Sequence, residues 1–359
     1  MSERRWTQKN ILKLASLALV VGFIGSNTMD ENANDYPLEF SDIYLVDQEE
    51  EIPNGPDIRA VGPYWQGERE AAPKAVPFSA SGGRAGDFTG DGIADLMARN
   101  ADTGNLLIYP GSGSLEGTAT YGEAVKVFGD TSGFDWMGQG DFNGDGLADF
   151  IGTDPSGQLG IAYNSGGLNG ENTFDTVFVV GGGWQDYDLR TTGDFNGDGI
   201  DDLLVRRTGT GDVYVATASS TGSGDVTLEP PVRIVTGLDS AVNMQYIDVT
   251  GDDAPDLLFQ WEPNGYLYLY DFYADQDSSG NFIAKLYALS SGWEESNATI
   301  FADMNMDRSP DLIVRSVENG NLVGIPHSGN WNFARPQDLF TLDGSQIIGA
   351  DWNRNDIVT

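Results

Sequence analysis

Short apolar runs, separated by turns rich in Gly, Asn and Asp, follow one another along most of the chain. In the stretch 134–181, such runs occur at 134–142, 149–153, 159–163 and 176–180. Apolar runs of this length that are bounded by turn residues predict β-strands. No helical periodicity longer than a turn or two occurs after residue 26. We therefore predict an all-β protein built from small antiparallel sheets of four strands each.

An aspartate-rich motif recurs at nearly constant spacing, from GDFTGDGIADL at 86–96 to ADMNMDRSPDL at 302–312. A sixth, shortened copy, ADWNRNDIV, begins at residue 350. The first aspartates of the six copies are Asp87, Asp141, Asp194, Asp248, Asp303 and Asp351. They are separated by 54, 53, 54, 55 and 48 residues. Similar segments at a fixed period predict a repeat architecture in which each copy is one structural unit.

The repeat length determines how the sheets pack. A four-stranded sheet of about 50 residues cannot bury both faces alone, so the copies have to stack on one another. Radial stacking produces a β-propeller, whereas an open β-solenoid is the alternative. The last copy ends after a first strand and part of a second, and 58–86 contains candidate strands at 60–64 and 75–79. We predict a β-propeller with six four-stranded antiparallel blades, the last closed by both termini.

The spacing inside each copy, Asp-x-Asn/Thr-x-Asp-Gly-x-x-Asp, indicates a metal site. Counted from the first aspartate, side-chain oxygens occur at positions 1, 3, 5 and 9, and a backbone carbonyl is available at position 7. An oxygen-only set with three carboxylates favours Ca²⁺ over Mg²⁺ or Zn²⁺. An EF-hand needs a Glu at position 12 and flanking helices, and neither occurs here. Ordinary turn residues are the other interpretation, which five copies in register make the weaker one.

The predicted calcium ligands are the residues at positions 1, 3, 5, 7 and 9 of five copies. They are Asp87, Thr89, Asp91, Ile93, Asp95, Asp141, Asn143, Asp145, Leu147, Asp149, Asp194, Asn196, Asp198, Ile200, Asp202, Asp248, Thr250, Asp252, Ala254, Asp256, Asp303, Asn305, Asp307, Ser309 and Asp311. We expect up to five Ca²⁺ ions, bound most strongly in the copies that begin at Asp141 and Asp194. The others replace Asn by Thr at position 3, or Gly at position 6 by Asp253 or Arg308. The sixth copy is shortened, and we expect no metal there.

These motifs resemble the calcium-binding FG-GAP/VCBS-type repeats of integrin α-subunit propellers and of secreted bacterial proteins. The resemblance covers about 58–359 and is closest to the bacterial versions, in which a Leu-rich strand and a Gly-x-Leu-x-x-Tyr return follow the loop, as in 95–113. Phe128 and Gly129 retain the FG signature, whereas no GAP sequence is present. The resemblance implies a propeller with calcium in loops between adjacent strands. Members of the family include adhesins, lectins and appendages of enzymes, so the fold does not define the function.

The first 57 residues differ in character from the rest. Four basic residues precede an apolar run of 12 residues at 14–25, which is shorter than a membrane span. We predict that 1–26 is a secretory signal peptide, with an uncleaved membrane anchor as the alternative. Residues 27–57 contain ten acidic and no basic side chains, so we predict an acidic linker. The propeller is expected to occupy 58–359.

Composition excludes several classes of protein. The 359 residues include 55 Asp and Glu but only 19 Lys and Arg, a formal net charge of −36, which opposes nucleic-acid binding. There is no Cys and a single His, His327. Disulfide scaffolds, thiol catalysis and poly-His zinc sites are therefore excluded, and a Ser-His-Asp triad is disfavoured. The hydrophobic fraction of 40% indicates a globular chain.

Two further patterns have both a structural and a binding interpretation. Three arginines stand twelve residues after the first aspartate of their copies: Arg99, Arg206 and Arg315. We favour ion pairs between blades over contact with an anion or an acidic sugar. Tyr266, Tyr268 and Tyr270 alternate along one strand and share a face. We favour blade packing for them over stacking on sugars, and a surface role for His327 over catalysis.

The sequence favours a secreted, calcium-stabilised propeller that is not an enzyme and that binds an extracellular glycan or protein at the cell surface or beyond. We expect no nucleic-acid partner, and contact with a membrane only if the N-terminal segment is uncleaved. Two alternatives remain. One is a secreted polysaccharide lyase or glycosidase of propeller fold, and the other is a structural subunit that associates with itself at the cell surface.

Overall fold

The computed structural model describes most of the chain from Gly86 onward, together with a short segment before it. The described residues are 55–60, 86–220, 226–251, 255–276, 282–290, 296–316, 320–329, 340, 344–349, 352 and 355–357. Several predictions lie outside them: the signal peptide at 1–26, most of the linker at 27–57, the candidate strand at 75–79, most of that at 60–64, and the predicted ligands Asp252 and Ala254.

The described residues form strands and three short 3₁₀ turns, Gly117–Ala119, Gly170–Asn172 and Trp184–Asp186. In chain order the strands are β1 (Arg59–Ala60), β2 (Leu96–Asn100), β3 (Asn105–Tyr109), β4 (Val125–Asp130), β5 (Trp136–Gly140), β6 (Asp149–Thr153), β7 (Leu159–Ala162), β8 (Phe178–Gly181), β9 (Tyr187–Gly193), β10 (Asp202–Arg207), β11 (Val213–Ala216), β12 (Ala218–Ser220), β13 (Val226–Leu228), β14 (Val232–Thr236), β15 (Ala241–Ile247), β16 (Asp256–Trp261), β17 (Tyr266–Gln276), β18 (Phe282–Ser290), β19 (Ser296–Ala302), β20 (Asp311–Ser316), β21 (Leu322–Ile325), β22 (Gln346–Gly349) and β23 (Asn355–Ile357). Within this part of the chain, no helix has the length and hydropathy needed to cross a membrane.

The strands assemble into five antiparallel blades within the described residues. Blade 1 has the order β23-β2-β3-β4, blade 2 β5-β6-β7-β8, blade 3 β9-β10-β11-β14, blade 4 β15-β16-β17-β18 and blade 5 β19-β20-β21-β22. The strand β1 extends blade 3 by pairing with β14, and β12 and β13 form a separate hairpin. The first strands of blades 2 to 5, which are β5, β9, β15 and β19, contact one another in turn, so they line the axis of the propeller.

Five hydrophobic clusters fill the spaces between consecutive blades. Each draws buried side chains from two blades, because a strand of alternating pattern has an apolar side chain for each face. Pairs that represent them are Met97 and Phe150 (blades 1 and 2), Ile151 and Leu203 (blades 2 and 3), Val215 and Phe259 (blades 3 and 4), Leu258 and Leu312 (blades 4 and 5), and Ile313 and Ala98 (blades 5 and 1). The cluster between blades 5 and 1 closes the ring. The predicted all-β propeller is therefore confirmed.

The prediction of six blades is wrong for the described residues, which form five blades, with blade 5 packed against blade 1. The backbone N–H of Trp352 donates to the carbonyl of Gly320, just as Trp184 N–H donates to Gly157 in blade 2. Trp184 begins the link that leads from blade 2 into blade 3. Trp352 therefore occupies the position that begins the link into blade 1, whereas Asp351 lies outside the described residues.

The ring is closed where a C-terminal strand pairs with the first strand after Asp loop 1, but the described N-terminal segment does not contribute to this blade as predicted. The C-terminal β23 pairs with β2, with Ala98 opposite Ile357 and Asn100 opposite Asn355. It thereby supplies the axial strand of blade 1. The N-terminal strand β1 does not join this blade and instead pairs with β14, with Arg59 opposite Thr236.

The aspartate motifs occupy the connections that lead into the second strand of each blade. We call them Asp loops 1 to 5, at 87–95, 141–149, 194–202, 248–256 and 303–311. Loops 2 to 5 follow the axial strands β5, β9, β15 and β19, and loop 1 leads into β2. Because the blades are equivalent, all five Asp loops lie at the same end of the propeller.

Candidate functional site

The first aspartate of each Asp loop folds the loop around its own carboxylate. In loop 2, Asp141 Oδ1 accepts hydrogen bonds from the N–H of Gly144 at 2.7 Å and of Asp145 at 3.2 Å, and Oδ2 accepts from Gly146 at 2.8 Å. Gly144 and Gly146 have φ angles of +77° and +87°, which glycine adopts without strain. Corresponding bonds are formed by the first aspartates of the other loops, Asp87, Asp194, Asp248 and Asp303.

Loop 5 achieves the same turn with residues that are less suited to it. Met306 and Arg308 have φ angles of 62° and 73°, a region that side-chain-bearing residues seldom adopt. This strain agrees with the weaker rank that the sequence predicts for loop 5. Its position-1 residue, Asp303, is also more exposed than Asp141 or Asp194.

Positions 3 and 5 bring two more oxygen-bearing side chains beside the first aspartate. In loop 2, Asn143 Oδ1 accepts from the N–H of Asp145 at 2.8 Å, and Asn143 Nδ2 donates to Asp145 Oδ2 at 3.1 Å. Asn196 and Asp198 repeat both bonds in loop 3. The position-5 carboxylates accept from the N–H of position 7 in four loops, as the pairs Asp91 and Ile93, Asp145 and Leu147, Asp198 and Ile200, and Asp307 and Ser309.

Position 3 varies among the remaining loops. In loop 1 the hydroxyl of Thr89 donates to Asp87 Oδ1 at 3.4 Å, a long bond. In loop 4 the hydroxyl of Thr250 is buried without a hydrogen-bond partner, and in loop 5 Asn305 Nδ2 donates to Asp311 at 3.4 Å. Loops 2 and 3 are therefore the two in which positions 1, 3 and 5 converge most completely.

Position 9 has a structural task that the sequence does not reveal. Asp149 is fully buried, and its carboxylate accepts from the N–H of Phe142 at 2.9 Å and of Asn164 at 2.8 Å. It thus joins the start of loop 2 to the segment after β7. Its counterparts Asp95, Asp202, Asp256 and Asp311 are also buried and also accept backbone N–H groups from position 2 of their own loops.

Carboxylates lie close together in the Asp loops, and only loop 5 contains a basic residue, Arg308. Burial raises the pKa of Asp149 and of Asp202 to about 8, and that of Asp95 and Asp311 to about 7. The carboxylates at positions 1 and 5 of the same loops contribute to these raised pKa values, and the hydrogen bonds from backbone N–H groups only partly offset both effects. A divalent cation would balance this charge.

The Asp loops contain the types of oxygen ligand that calcium requires, but their described side chains are not arranged around a common point. Each loop presents carboxylate, amide or hydroxyl and carbonyl oxygens, which are the ligands that Ca²⁺ takes. In the described part of the chain, however, no three Asp, Glu or His side chains are arranged so that they could hold a metal ion. Cation binding would therefore draw the side chains at positions 1, 3 and 5 closer together.

Residues 141–205 match the model of the FG-GAP-like repeat family. This FG-GAP-like repeat begins at Asp141, ends in β10 and contains Asp loops 2 and 3, the two that the sequence ranks as complete. The predicted resemblance to FG-GAP repeats is confirmed for this segment. No curated protein matches the chain.

Solved structures give only distant likenesses. A lectin from Agrocybe aegerita, described as recognising non-reducing terminal N-acetylglucosamine, is 21% identical, with a TM-score of 0.35; the match covers 65% of this chain and 56% of the lectin. The Tc holotoxin pore of Photorhabdus luminescens is 13% identical, with a TM-score of 0.36; the match covers 82% of this chain and 12% of the toxin chain.

Outside the FG-GAP-like repeat, His327 is buried, so the expected surface role is wrong. Its ring Nδ1 accepts from the N–H of Gly329 at 2.8 Å, which leaves Nε2 to donate to the carbonyl of Val249 at 3.2 Å. The imidazole therefore joins blade 5 to Asp loop 4.

Asn164 makes the corresponding contact in blade 2, where its Nδ2 donates to the carbonyl of Phe88 in loop 1 at 3.0 Å. Asn164 was not predicted as a site residue. Its signal in the sequence is its place 15 residues after Asp149, close to the 16 that separate His327 from Asp311.

The three arginines in register act between blades, but mainly through backbone carbonyls. Arg206 Nη1 donates to the carbonyls of Leu238 at 2.8 Å and Ala241 at 2.6 Å, in the link to blade 4, and its Nε pairs with Asp188 at 2.9 Å. Arg99 donates to Phe134 O and Arg315 to Trp352 O, each in the link to the next blade. These contacts favour the structural interpretation over anion binding.

The tyrosine stripe of blade 4 packs into the cluster between blades 3 and 4. Tyr268 and Tyr270 are buried, and Tyr268 stacks on Phe259 with ring centroids 5.7 Å apart. The nearby Trp261 is buried as well. Blade packing therefore accounts for these aromatic side chains, and they do not form an exposed platform for a sugar.

Proposed function

We propose that this protein is a secreted, non-catalytic binding module whose propeller is stabilised by calcium in the Asp loops. The observation that carries the proposal is the grouping of five Asp loops at one end of the propeller, with buried carboxylates whose charged neighbours are other carboxylates. Such charge destabilises the loops unless a cation balances it.

Loops 2 and 3 are the strongest candidates for calcium. Positions 1, 3 and 5 would supply side-chain oxygens, and Leu147 and Ile200 at position 7 would supply carbonyls. Asp149 and Asp202 at position 9 already accept two or three N–H groups, so a cation would have to share their remaining lone pairs. Loops 1, 4 and 5 would bind more weakly, because loops 1 and 4 have Thr at position 3 and loops 4 and 5 lack Gly at position 6.

A binding role is supported over catalysis because His327 and the repeat aspartates, the candidate catalytic groups, are hydrogen-bonded to the backbone. The single imidazole is engaged with backbone groups on both of its nitrogens, and the aspartates of the repeats hold the loops in shape. The predicted signal at 1–26 supports secretion, and the acidic composition suits a calcium-containing exterior. The partner would be an extracellular glycan or protein.

Calcium binding is tested by isothermal titration calorimetry of the calcium-free protein. We expect up to five sites, with dissociation constants on the order of 10⁻⁴ to 10⁻³ M for an extracellular module. The double substitution Asp145→Asn and Asp198→Asn should remove the two strongest sites. The matched control Asp175→Ala removes one exposed negative charge from blade 2 outside the loops and should retain them all. No heat of binding at millimolar calcium would overturn the calcium proposal.

The binding role is tested separately on calcium-loaded protein. Specific retention of a glycan class on an array, without chain shortening of the same polymer, is the expected result. Cleavage of a polysaccharide by the purified protein would instead establish a lyase or glycosidase and would contradict the proposal. A mass that rises with protein concentration, without glycan retention, would identify a self-assembling subunit.

A further inference from the structure

Asp loop 2 is hydrogen-bonded through backbone groups to both of its neighbours, Asp loops 1 and 3. The N–H of Ala148, at position 8 of loop 2, donates to the carbonyl of Asp87, at position 1 of loop 1, at 2.9 Å. The N–H of Asp201, at position 8 of loop 3, donates to the carbonyl of Asp141 in loop 2 at 2.8 Å. Position 8 is Pro255 in loop 4 and Pro310 in loop 5, and proline has no N–H to donate.

The junction between loops 2 and 3 has a second hydrogen bond. Asp201 Oδ2 accepts from the backbone N–H of Asp141 at 2.8 Å, so the two residues are joined in both directions. Asp201 is 6% exposed, and its Oδ1 is buried without a hydrogen-bond partner. The other loops carry Ala94, Ala148, Pro255 and Pro310 at this position, none of which has a side-chain acceptor.

This junction connects the first aspartate of loop 2 to the residue next to the buried position-9 aspartate of loop 3. Asp141 holds loop 2 by accepting from Gly144 and Gly146. Asp202, next to Asp201, holds loop 3 by accepting from Phe195 and Asn196. A cation that orders one loop therefore also fixes a contact of the other. The second loop is then already partly ordered, so binding of the second cation costs less conformational entropy. This is positive coupling between the two sites.

We propose that Asp201 is a positioning residue that couples cation binding in Asp loop 2 to cation binding in Asp loop 3. The inference rests on the proposed calcium function and adds to it a pathway between two sites. The FG-GAP-like repeat at 141–205 contains both loops and Asp201, so the coupled unit lies within that one segment.

Loop-specific affinities test the proposal. In protein labelled with ¹⁵N-glycine, the amide signals of Gly146 and Gly199 report calcium binding in loops 2 and 3 separately, because each amide donates to the first aspartate of its loop. We expect Asp198→Asn to weaken binding reported by Gly146 about five- to tenfold. Asp145→Asn should weaken binding reported by Gly199 by the same factor, since coupling between sites is reciprocal.

The same measurements in an Asp201→Ala background isolate the role of Asp201. This substitution installs the residue that loops 1 and 2 already carry at position 8, so the protein is expected to fold. The five- to tenfold effect should disappear. Asp201→Asn keeps an oxygen that can accept from Asp141 and should retain most of the coupling. The control Asp175→Ala should leave it unchanged.

Three results would count against the proposal, and each has a different meaning. Independent titration of the two loops in the unsubstituted protein would overturn the coupling while leaving the calcium function intact. Coupling that persists in Asp201→Ala would show that Asp201 is not the residue responsible. Absence of calcium-dependent shifts at every glycine would overturn the proposed calcium function, and the coupling with it.

Discussion

At the residue scale, the aspartates of one Asp loop divide into two kinds. In loop 2, Asp145 is exposed, whereas Asp141 and Asp149 are buried and accept backbone N–H groups. A repeated carboxylate is therefore not evidence of a ligand in itself. Its role follows from which donors already occupy its oxygens.

Substitution at position 9 should cost stability even without calcium. Asp149→Ala leaves the buried N–H groups of Phe142 and Asn164 unpaired, at about 1 to 3 kcal/mol each. Urea denaturation in EDTA should therefore show a loss of about 2 to 6 kcal/mol. The matched control Asp145→Ala, at an exposed position, should cost about 0.5 kcal/mol or less in EDTA. Equal effects of the two substitutions would contradict the structural role of position 9.

His327 should behave as a structural side chain. His327→Ala removes the bond to Val249 O and the acceptor for Gly329 N–H, so a loss of about 1 to 3 kcal/mol in the free energy of unfolding is expected. His327→Asn should recover part of it, because Asn164 makes the corresponding bond in blade 2. If both variants unfold like the unsubstituted protein, the buried contact does not stabilise the fold.

At the element scale, the links between blades are held by side chains from the second strands. Arg206 of β10 reaches the link before β15, as Arg99 of β2 and Arg315 of β20 reach the links that follow their own blades. A guanidinium suits this task because it presents several N–H donors in fixed directions. The blades are thus fastened by polar contacts as well as by the clusters between them.

Loss of the Arg206 contacts should be costly. Arg206→Ala leaves the carbonyls of Leu238 and Ala241 without this donor, and we expect about 3 kcal/mol less stability in chemical denaturation. Arg206→Lys should not restore it fully, since an ammonium lacks the planar fork. Arg99→Ala, at a more exposed position, is the control and should cost about 1 kcal/mol. A harmless Arg206→Ala would contradict the fastening role.

At the scale of the whole molecule, one strand closes the ring. β23 supplies the axial strand of blade 1, and the cluster that contains Trp352 and Leu96 fills the space between blades 5 and 1. Without β23, the backbone groups of β2 would form an open sheet edge, which is a template for aggregation.

Truncation after residue 354 tests this closure. Removing β23 should lower the melting temperature strongly, or yield protein that aggregates, because blade 1 loses its axial strand. A truncation after Ile357 keeps β23 and serves as the control, with a melting temperature close to that of the full chain. Equal melting curves for the two truncations would show that β23 is not needed for closure.

The strands within a blade can be predicted from the sequence more readily than the number of blades or the contacts between them. The strands expected at 149–153 and 159–163 appear as β6 and β7, because local alternation and turn residues determine them. The blade number does not follow, since ADWNRN at 350–355 looks like a sixth Asp loop in sequence, yet the described residues form five blades. Its interval of 48 residues was the available signal. The contacts of Asp201 with Asp141 join residues 60 apart, which no local pattern indicates.

The central claim is that calcium in the Asp loops stabilises the propeller, and differential scanning calorimetry tests it most directly. Melting is compared in EDTA and at 10 mM calcium for the unsubstituted protein and for Asp145→Asn combined with Asp198→Asn. With dissociation constants of about 10⁻⁴ to 10⁻³ M, each occupied site should add about 1.4 to 2.7 kcal/mol. We predict a marked rise in melting temperature that the double substitution largely removes. An identical melting temperature with and without calcium would contradict the account.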